Sequence, residues 1–136
     1  MKEKIVDYTE LSKEEFENLY FEKYKRFFKD KLPYGLECYQ GWHNIIWDLT
    51  QAIENYMGNN NAPQDMQITQ IKQKFGGLRF YTNKGDGTIW GMIRFAEDQS
   101  YKICEKCGER GTLDTEFAYV ITLCEGCQVT RKERIE

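Results

Sequence analysis

Two Cys-x-x-Cys pairs late in the chain constrain its fold more than any other feature of the sequence. Cys104 and Cys107 form the first pair, Cys124 and Cys127 form the second, and 16 residues separate them. Each pair can direct two thiolates at one ion from a tight knuckle, so the sequence predicts a closed tetrahedral site for one structural zinc ion. A set of redox-active or incidental dithiols is the alternative interpretation, and the matched spacing favours the metal.

The spacer between the two pairs predicts the local fold around the metal. Leu113 through Thr122 can form a short hairpin, and Gly108 and Gly126 suit turns that aim backbone amides at the sulfur atoms. We therefore expect a zinc ribbon, followed by a tail, in residues 101–136. Four protein ligands leave no coordination position for water or substrate, so the metal is expected to be structural rather than catalytic.

The cysteine count and the start of the chain indicate a compartment. The chain has five cysteines, an odd number, and its first residues turn acidic at Glu3 and Asp7 before a signal-peptide core can form. Paired cysteines without a secretion signal indicate metal binding in a reducing compartment rather than disulfides. No apolar run approaches the roughly 20 residues that cross a bilayer. The expected location is the cytoplasm, without a membrane partner.

Residues 1–100 predict an α+β body in which helices pack on a small antiparallel hairpin. The chain has 136 residues, of which 40% are apolar, and this is enough to bury a core. Ser12 and Glu15 form a capping box at the start of the first helix, and Thr88 can cap the last helix of the body. Apolar residues at helical spacing predict three helices, at about 12–31, 41–57 and 88–99.

A pair of strands is predicted at about 66–82, around Gly76-Gly77. If these glycines form a two-residue turn, Phe75 faces Leu78 and Lys74 lies directly across from Arg79. Because side chains alternate along a strand, the core face is expected to carry Ile71, Phe75, Leu78 and Phe80. The opposite face, called the basic face below, then carries Gln70, Lys72, Lys74, Arg79 and Tyr81.

The sequence assembles no catalytic group. Cys38 and His43 are candidates for a nucleophilic dyad, but nothing near them in the sequence supplies a third, orienting group. A free cysteine is more often a small apolar residue of the core, so we expect Cys38 to be inert. Carboxylate pairs such as Glu14-Glu15 fit the solvated faces of amphipathic helices. We therefore expect a protein that is not an enzyme.

The segment from Gln70 to Tyr81, which contains Lys-Phe-Gly-Gly-Leu-Arg-Phe-Tyr, is the most distinctive motif of the chain. With Gly41-Trp42, Ala96-Glu97 and the cysteine pairs, it resembles a group of small uncharacterised phage and bacterial proteins. The resemblance covers about residues 36–127 and leaves the aromatic first helix outside. It implies a phage or mobile-element setting and transfers no catalytic residue.

Binding is the function that these features favour. The net charge of −3 and the isoelectric point near 5.3 give no general attraction to phosphate backbones. We expect a zinc-stabilised factor that binds a host protein in the host cytoplasm, with the basic face as the candidate contact surface. The alternative is a nucleic-acid-binding module that uses the ribbon and the basic face, with Tyr81 available to stack on a base.

Overall fold

The computed structural model describes residues 6–59 and 62–135. The ends of the predicted body and tail, Met1 to Ile5 and Glu136, and the loop residues Asn60 and Asn61 lie outside these ranges. The helices are α1 (Lys13–Lys23), α2 (His43–Asn59), α3 (Gly87–Ser100) and α4 (Glu125–Ile135). The strands are β1 (Ile68–Lys74), β2 (Gly77–Thr82), β3 (Thr112–Asp114) and β4 (Ile121–Leu123). The predicted α+β class is confirmed.

An aromatic core joins α1 to α2. The rings of Phe16 and Tyr20 stack with centroids 5.3 Å apart, and Tyr24 meets Trp47 of α2 edge-on at 5.0 Å. The predicted capping box fixes the start of α1, because the Ser12 hydroxyl accepts the amide hydrogen of Glu15 at 3.2 Å. Within the described ranges no helix has the length and apolar character needed to cross a bilayer.

The first helix is shorter than the predicted span of 12–31. It ends at Lys23, and a 3-10 turn at Lys25–Phe27 follows. The turn brings Phe28 back against Phe21, with ring centroids 4.8 Å apart. Burial of this ring outweighs the hydrogen bonds of a longer helix, a gain that helical periodicity does not reveal.

The other two predicted helices are present as α2 and α3, whose bounds lie within two residues of those predicted. A 3-10 turn at Gln40–Trp42 precedes α2, which therefore begins at His43 rather than at residue 41. Asp86, not Thr88, caps α3, because its Oδ1 accepts the amide hydrogen of Ile89 at 2.9 Å. A carboxylate one residue before the helix satisfies the same free amides that a threonine would.

The predicted hairpin forms, but its turn is one residue earlier than predicted. Phe75 and Gly76 make the turn, so Lys74 pairs with Gly77, and Lys72 rather than Lys74 lies across from Arg79. Phe75 is therefore 72% exposed instead of buried. Gly77 is needed within the strand, because a Cβ there would lie 2.8 Å from Cε2 of Tyr101.

The two faces of the hairpin keep the predicted division despite this shift. Ile71, Leu78 and Phe80 are buried, and Gln73 takes the core position predicted for Phe75. The more exposed side carries the five residues of the basic face.

Other segments cover both edges of the hairpin. Along β1, the amide of Gln73 donates to the Glu37 carbonyl at 3.0 Å. Along β2, the amides of Leu78 and Phe80 donate to Ser100 Oγ at 2.9 Å and Glu97 Oε2 at 3.0 Å, respectively. The edges are thus not open to pairing with another strand, and α3 is fixed against β2.

Candidate metal centre

The structure brings the four predicted ligands together. The Sγ atoms of Cys104, Cys107, Cys124 and Cys127 all lie within 4.8 Å of one another, and those of Cys107 and Cys124 are 3.6 Å apart. A tetrahedral ion with metal–sulfur bonds of about 2.3 Å holds its ligands roughly 3.8 Å apart, so closure of the widest pair by about 1 Å completes the site. The four thiols are therefore positioned to hold a metal ion.

The first cysteine pair lies on a tight backbone knuckle. The amide of Cys104 donates to the Glu109 carbonyl at 2.7 Å, and the amide of Gly108 donates to the Cys104 carbonyl at 2.9 Å. Gly108 has φ +84°, a left-handed conformation that glycine adopts without strain. Cys104 is buried and Cys107 is exposed, so the site lies just below the surface.

The second pair lies where a strand becomes a helix. The predicted hairpin is present as β3 and β4, in which Leu113 pairs with Thr122. Cys124 directly follows β4, and Cys127 lies in the first turn of α4. This helix occupies the part of the chain for which the sequence predicted only a tail. A helix start offers free amides and a partial positive charge, and both favour anionic sulfur.

The four thiols are crowded together, and each affects the protonation of its neighbours. The Cys127 amide donates to Cys124 Sγ at 3.4 Å, and this bond lowers the pKa of Cys124. Burial and the neighbouring thiols raise the pKa of Cys107 to about 11 and also raise that of Cys127. A bound cation reverses this effect because it stabilises the thiolates. Elsewhere in residues 6–59 and 62–135, no other group of three or more potential ligands converges.

The metal segment, residues 101–135, is bound to the body through its backbone. Trp42 Nε1 donates to the Ile103 carbonyl at 3.0 Å, and the Gly41 amide donates to the Glu105 carbonyl at 2.7 Å. A Cβ at Gly41 would collide with the carbonyl of Cys104. In the sequence, Gly41-Trp42 is recognisable only as part of a motif. In the structure, the two residues form the surface on which the first knuckle packs.

A buried carboxyl group lies in this junction. Glu105 is 1% exposed, and its Oε2 accepts the Tyr39 amide hydrogen at 3.0 Å. Burial raises the pKa of this carboxyl group. The backbone amide of Glu105 donates to the Thr122 carbonyl at 2.9 Å, so the first knuckle is also hydrogen-bonded to β4. No sequence pattern had distinguished Glu105 from the surface glutamates.

The metal segment also holds the turn of the first hairpin. Thr122 Oγ1 donates to the Gly76 carbonyl at 2.8 Å, and Gln73 Nε2 donates to the Val120 carbonyl at 3.0 Å. Gln73 Oε1 in turn accepts the Gly76 amide hydrogen at 3.2 Å. The position of the turn therefore depends on the strands that end at the metal site.

The basic face carries cations that the protein does not neutralise directly. Among the residues that the structure describes, neither Lys72 nor Lys74 forms an ion pair. Arg79 Nη2 donates to Tyr101 Oη at 3.1 Å, and this hydrogen bond raises the pKa of Arg79. Gln70 is bound to Glu37 Oε2 at 2.9 Å, and Tyr81 is 40% exposed.

The candidate dyad of Cys38 and His43 is not assembled. No hydrogen bond joins these two side chains, both of which the structure describes. The buried ring of His43 stacks on Phe16 at 4.0 Å and donates from Nδ1 to the Tyr8 carbonyl at 3.0 Å. Burial lowers the pKa of His43 and raises the pKa of the Cys38 thiol, so each group stays neutral.

Comparison of the chain with protein-family models, with curated proteins and with solved structures found no match. The function is therefore inferred from the residues of the chain and their geometry.

Proposed function

We propose that this chain is a zinc-stabilised binding protein. In this proposal, Cys104, Cys107, Cys124 and Cys127 hold one structural zinc ion, and the basic face binds a protein of the host cell. The observation that carries the proposal is the convergence of four thiols within 4.8 Å of one another.

The identity of the ion rests on the chemistry of the ligands. Four soft thiolates in a tetrahedral arrangement are typical of zinc and of iron–sulfur centres. A single ion with two Cys-x-x-Cys knuckles and a short hairpin is the arrangement of structural zinc sites. A closed set of four protein ligands supports a role in holding the fold rather than in catalysis.

Elemental analysis of the purified full chain tests the metal. One zinc per chain is expected, and the Cys104→Ser, Cys124→Ser double variant should lose it. Cys38→Ala removes the cysteine outside the cluster and should keep a full complement. Iron in place of zinc, or zinc retained by the double variant, would contradict the proposed site.

The choice of partner rests on charge. Lys72 and Lys74 are available for external carboxylates, because neither forms an ion pair within the described residues. The net charge of −3 disfavours wide contact with a phosphate backbone. The resemblance to small phage and bacterial proteins supports a host protein as the partner.

Affinity capture from lysate of the cells that express the chain, with and without nuclease treatment, tests the basic face. We expect a retained protein whose recovery falls about 5-fold with Lys72→Ala plus Lys74→Ala, as the loss of two exposed ion pairs implies. Lys13→Ala plus Lys23→Ala is the matched control, because it removes the same charge from α1. Loss of binding on nuclease treatment, with a steep salt dependence, would instead favour the nucleic-acid alternative.

A further inference from the structure

Phe75 occupies a position in the turn that is unfavourable for its residue type. Its φ is +52°, and that of Gly76 is +85°, so both central residues of the two-residue turn are in the left-handed region. Such turns favour asparagine, aspartate and glycine, whose side chains tolerate a positive φ. A bulky residue there is strained and therefore calls for an explanation.

Packing within the chain does not compensate for this strain. The Phe75 side chain is 72% exposed, and Lys74 Nζ lies 5.8 Å from the centroid of its ring. An exposed aromatic side chain on a strained backbone is typical of a residue kept for function.

Side chains of the metal segment hold the turn in place. The Gly76 carbonyl accepts a hydrogen bond from Thr122, and Leu113 of the metal segment lies directly against Gly76. Leu113 is itself 42% exposed, so an apolar side chain supports the turn next to Phe75. Rigid aromatic side chains on such a support are the usual anchors of protein interfaces, because little entropy is lost when they bind.

We propose that Phe75 is the anchor of the binding face and inserts into an apolar cleft of a protein partner whose rim carries carboxylates. Lys72 and Lys74 provide the charge complementarity, since both lie on β1 just before the turn and neither has an ion-pair partner among the described residues. The inference rests on the proposed function and adds to it the chemistry of the partner.

The first experiment distinguishes a binding role of Phe75 from a structural one. Phe75→Asn places a residue that tolerates positive φ in the turn, so the melting temperature should rise by about 3–5 °C. Recovery of the captured protein should fall at least 10-fold, as the loss of an interface anchor implies. Phe75→Tyr keeps the ring and should keep binding. Phe95→Ala is the matched control, because it removes an equally exposed ring, 66% exposed, from α3.

The second experiment identifies the contact directly. The full chain carries the photoreactive residue p-benzoylphenylalanine in place of Phe75, or in place of Phe95 as control, and is irradiated in lysate that still contains its nucleic acid. Cross-linking at position 75 alone, to a peptide with apolar residues flanked by Asp or Glu, is the expected result. Cross-linking to nucleic acid, or an equal yield from the two positions, would overturn the inference.

The outcomes distinguish the anchor from the wider proposal. If Phe75→Asn keeps the partner while Lys72→Ala plus Lys74→Ala loses it, the basic face stands and the anchor is wrong. If Phe75→Asn lowers the melting temperature, the ring stabilises the fold and the anchor is again wrong. If the wild-type chain retains no protein beyond what the Lys72→Ala, Lys74→Ala variant retains, the proposed binding face and its anchor both fail.

Discussion

The body and the metal segment hold their folds by different means. In the body, Phe16, Tyr20 and Trp42 are fully buried within a large core of aromatic and aliphatic side chains. In the metal segment, the buried cluster consists of Cys104, Ile121 and Leu123, with Cys124 and Cys127 packed against it. Three of these five residues are thus candidate metal ligands rather than apolar side chains.

This difference indicates how the two regions depend on each other. So small a cluster removes too little apolar surface from water to fix three-residue strands, and a metal ion held by the four cysteines would supply the missing stabilisation. The body needs no metal for its own packing, but the turn of its hairpin is held by Thr122 of the metal segment. The proposed binding face therefore lies where the metal segment supports the hairpin of the body.

Removal of the metal should give the largest effect. It should unfold the metal segment and leave the body folded. In the Cys104→Ser, Cys124→Ser variant, amide signals of residues 101–135 should lose their dispersion while those of α1 and α2 keep theirs. Structural zinc sites contribute an apparent binding free energy of about 10–16 kcal/mol, far more than this segment can replace. Two-dimensional NMR of labelled protein is the measurement.

Cys38→Ala is the control for that experiment, since it also removes a thiol. This variant should bind the metal and the partner as the wild type does, and its NMR spectrum should keep its dispersion. Loss of dispersion throughout the double variant would show that the body depends on the metal, contrary to the comparison. An unchanged spectrum would show that the segment folds without it.

The core face of the first hairpin should give the next largest effect. Phe80 is 2% exposed, so Phe80→Ala should lower the free energy of unfolding by about 3–5 kcal/mol. Urea unfolding followed by tryptophan fluorescence measures the change. Phe75→Ala in the same hairpin should not reproduce the loss, because that ring is exposed. Similar losses from the two variants would mean that Phe75 is packed and that the turn lies where the sequence predicted it.

The predictions that succeeded depend on local geometry. The spacing of two Cys-x-x-Cys pairs fixes where thiolates can point, and Ser12 with Glu15 caps a helix whatever lies beyond it. The alternation of side chains likewise placed the five residues of the basic face on the more exposed side of the hairpin, although the turn was wrong, because the shift left most residues on the same side.

The predictions that failed depend on contacts between distant residues. Two adjacent glycines allow more than one turn, and the choice is made by Tyr101, whose ring leaves no room for a side chain at Gly77. Among the side chains of α4 that the structure describes, none is buried, so no buried apolar stripe reveals this helix, and its first turn carries the candidate ligand Cys127. The role of Gly41 likewise becomes visible only when the first knuckle packs on it.

Gly41 offers a way to loosen the junction without touching the metal ligands. Gly41→Ala should cost about 1–3 kcal/mol, because the added methyl group meets the carbonyls of Cys104 and Glu105. Hydrogen exchange should accelerate at residues 101–111 more than in α2, while the zinc content stays at one. Gly58→Ala is the matched control, since its methyl group would meet nothing within 4 Å and should slightly stabilise α2. Equal exchange in the two variants would contradict a close junction at Gly41.

The smallest expected effect is on how the stability of the body depends on pH. Asp86 Oδ1 accepts the Ile89 amide hydrogen at 2.9 Å and Oδ2 accepts the Tyr56 hydroxyl at 2.7 Å, and these bonds hold the pKa of Asp86 below its usual value. A carboxyl group with a lowered folded pKa stabilises the fold above its unfolded pKa, and that contribution is lost as the pH falls through the folded value. Wild type should therefore be more stable than Asp86→Asn near neutral pH, and the difference in melting temperature should shrink in acid. Acid also releases metal by protonating the thiolates, but it does so equally in both chains and cancels from the difference. A difference that stays constant with pH would mean that the charge of Asp86 contributes nothing to the start of α3.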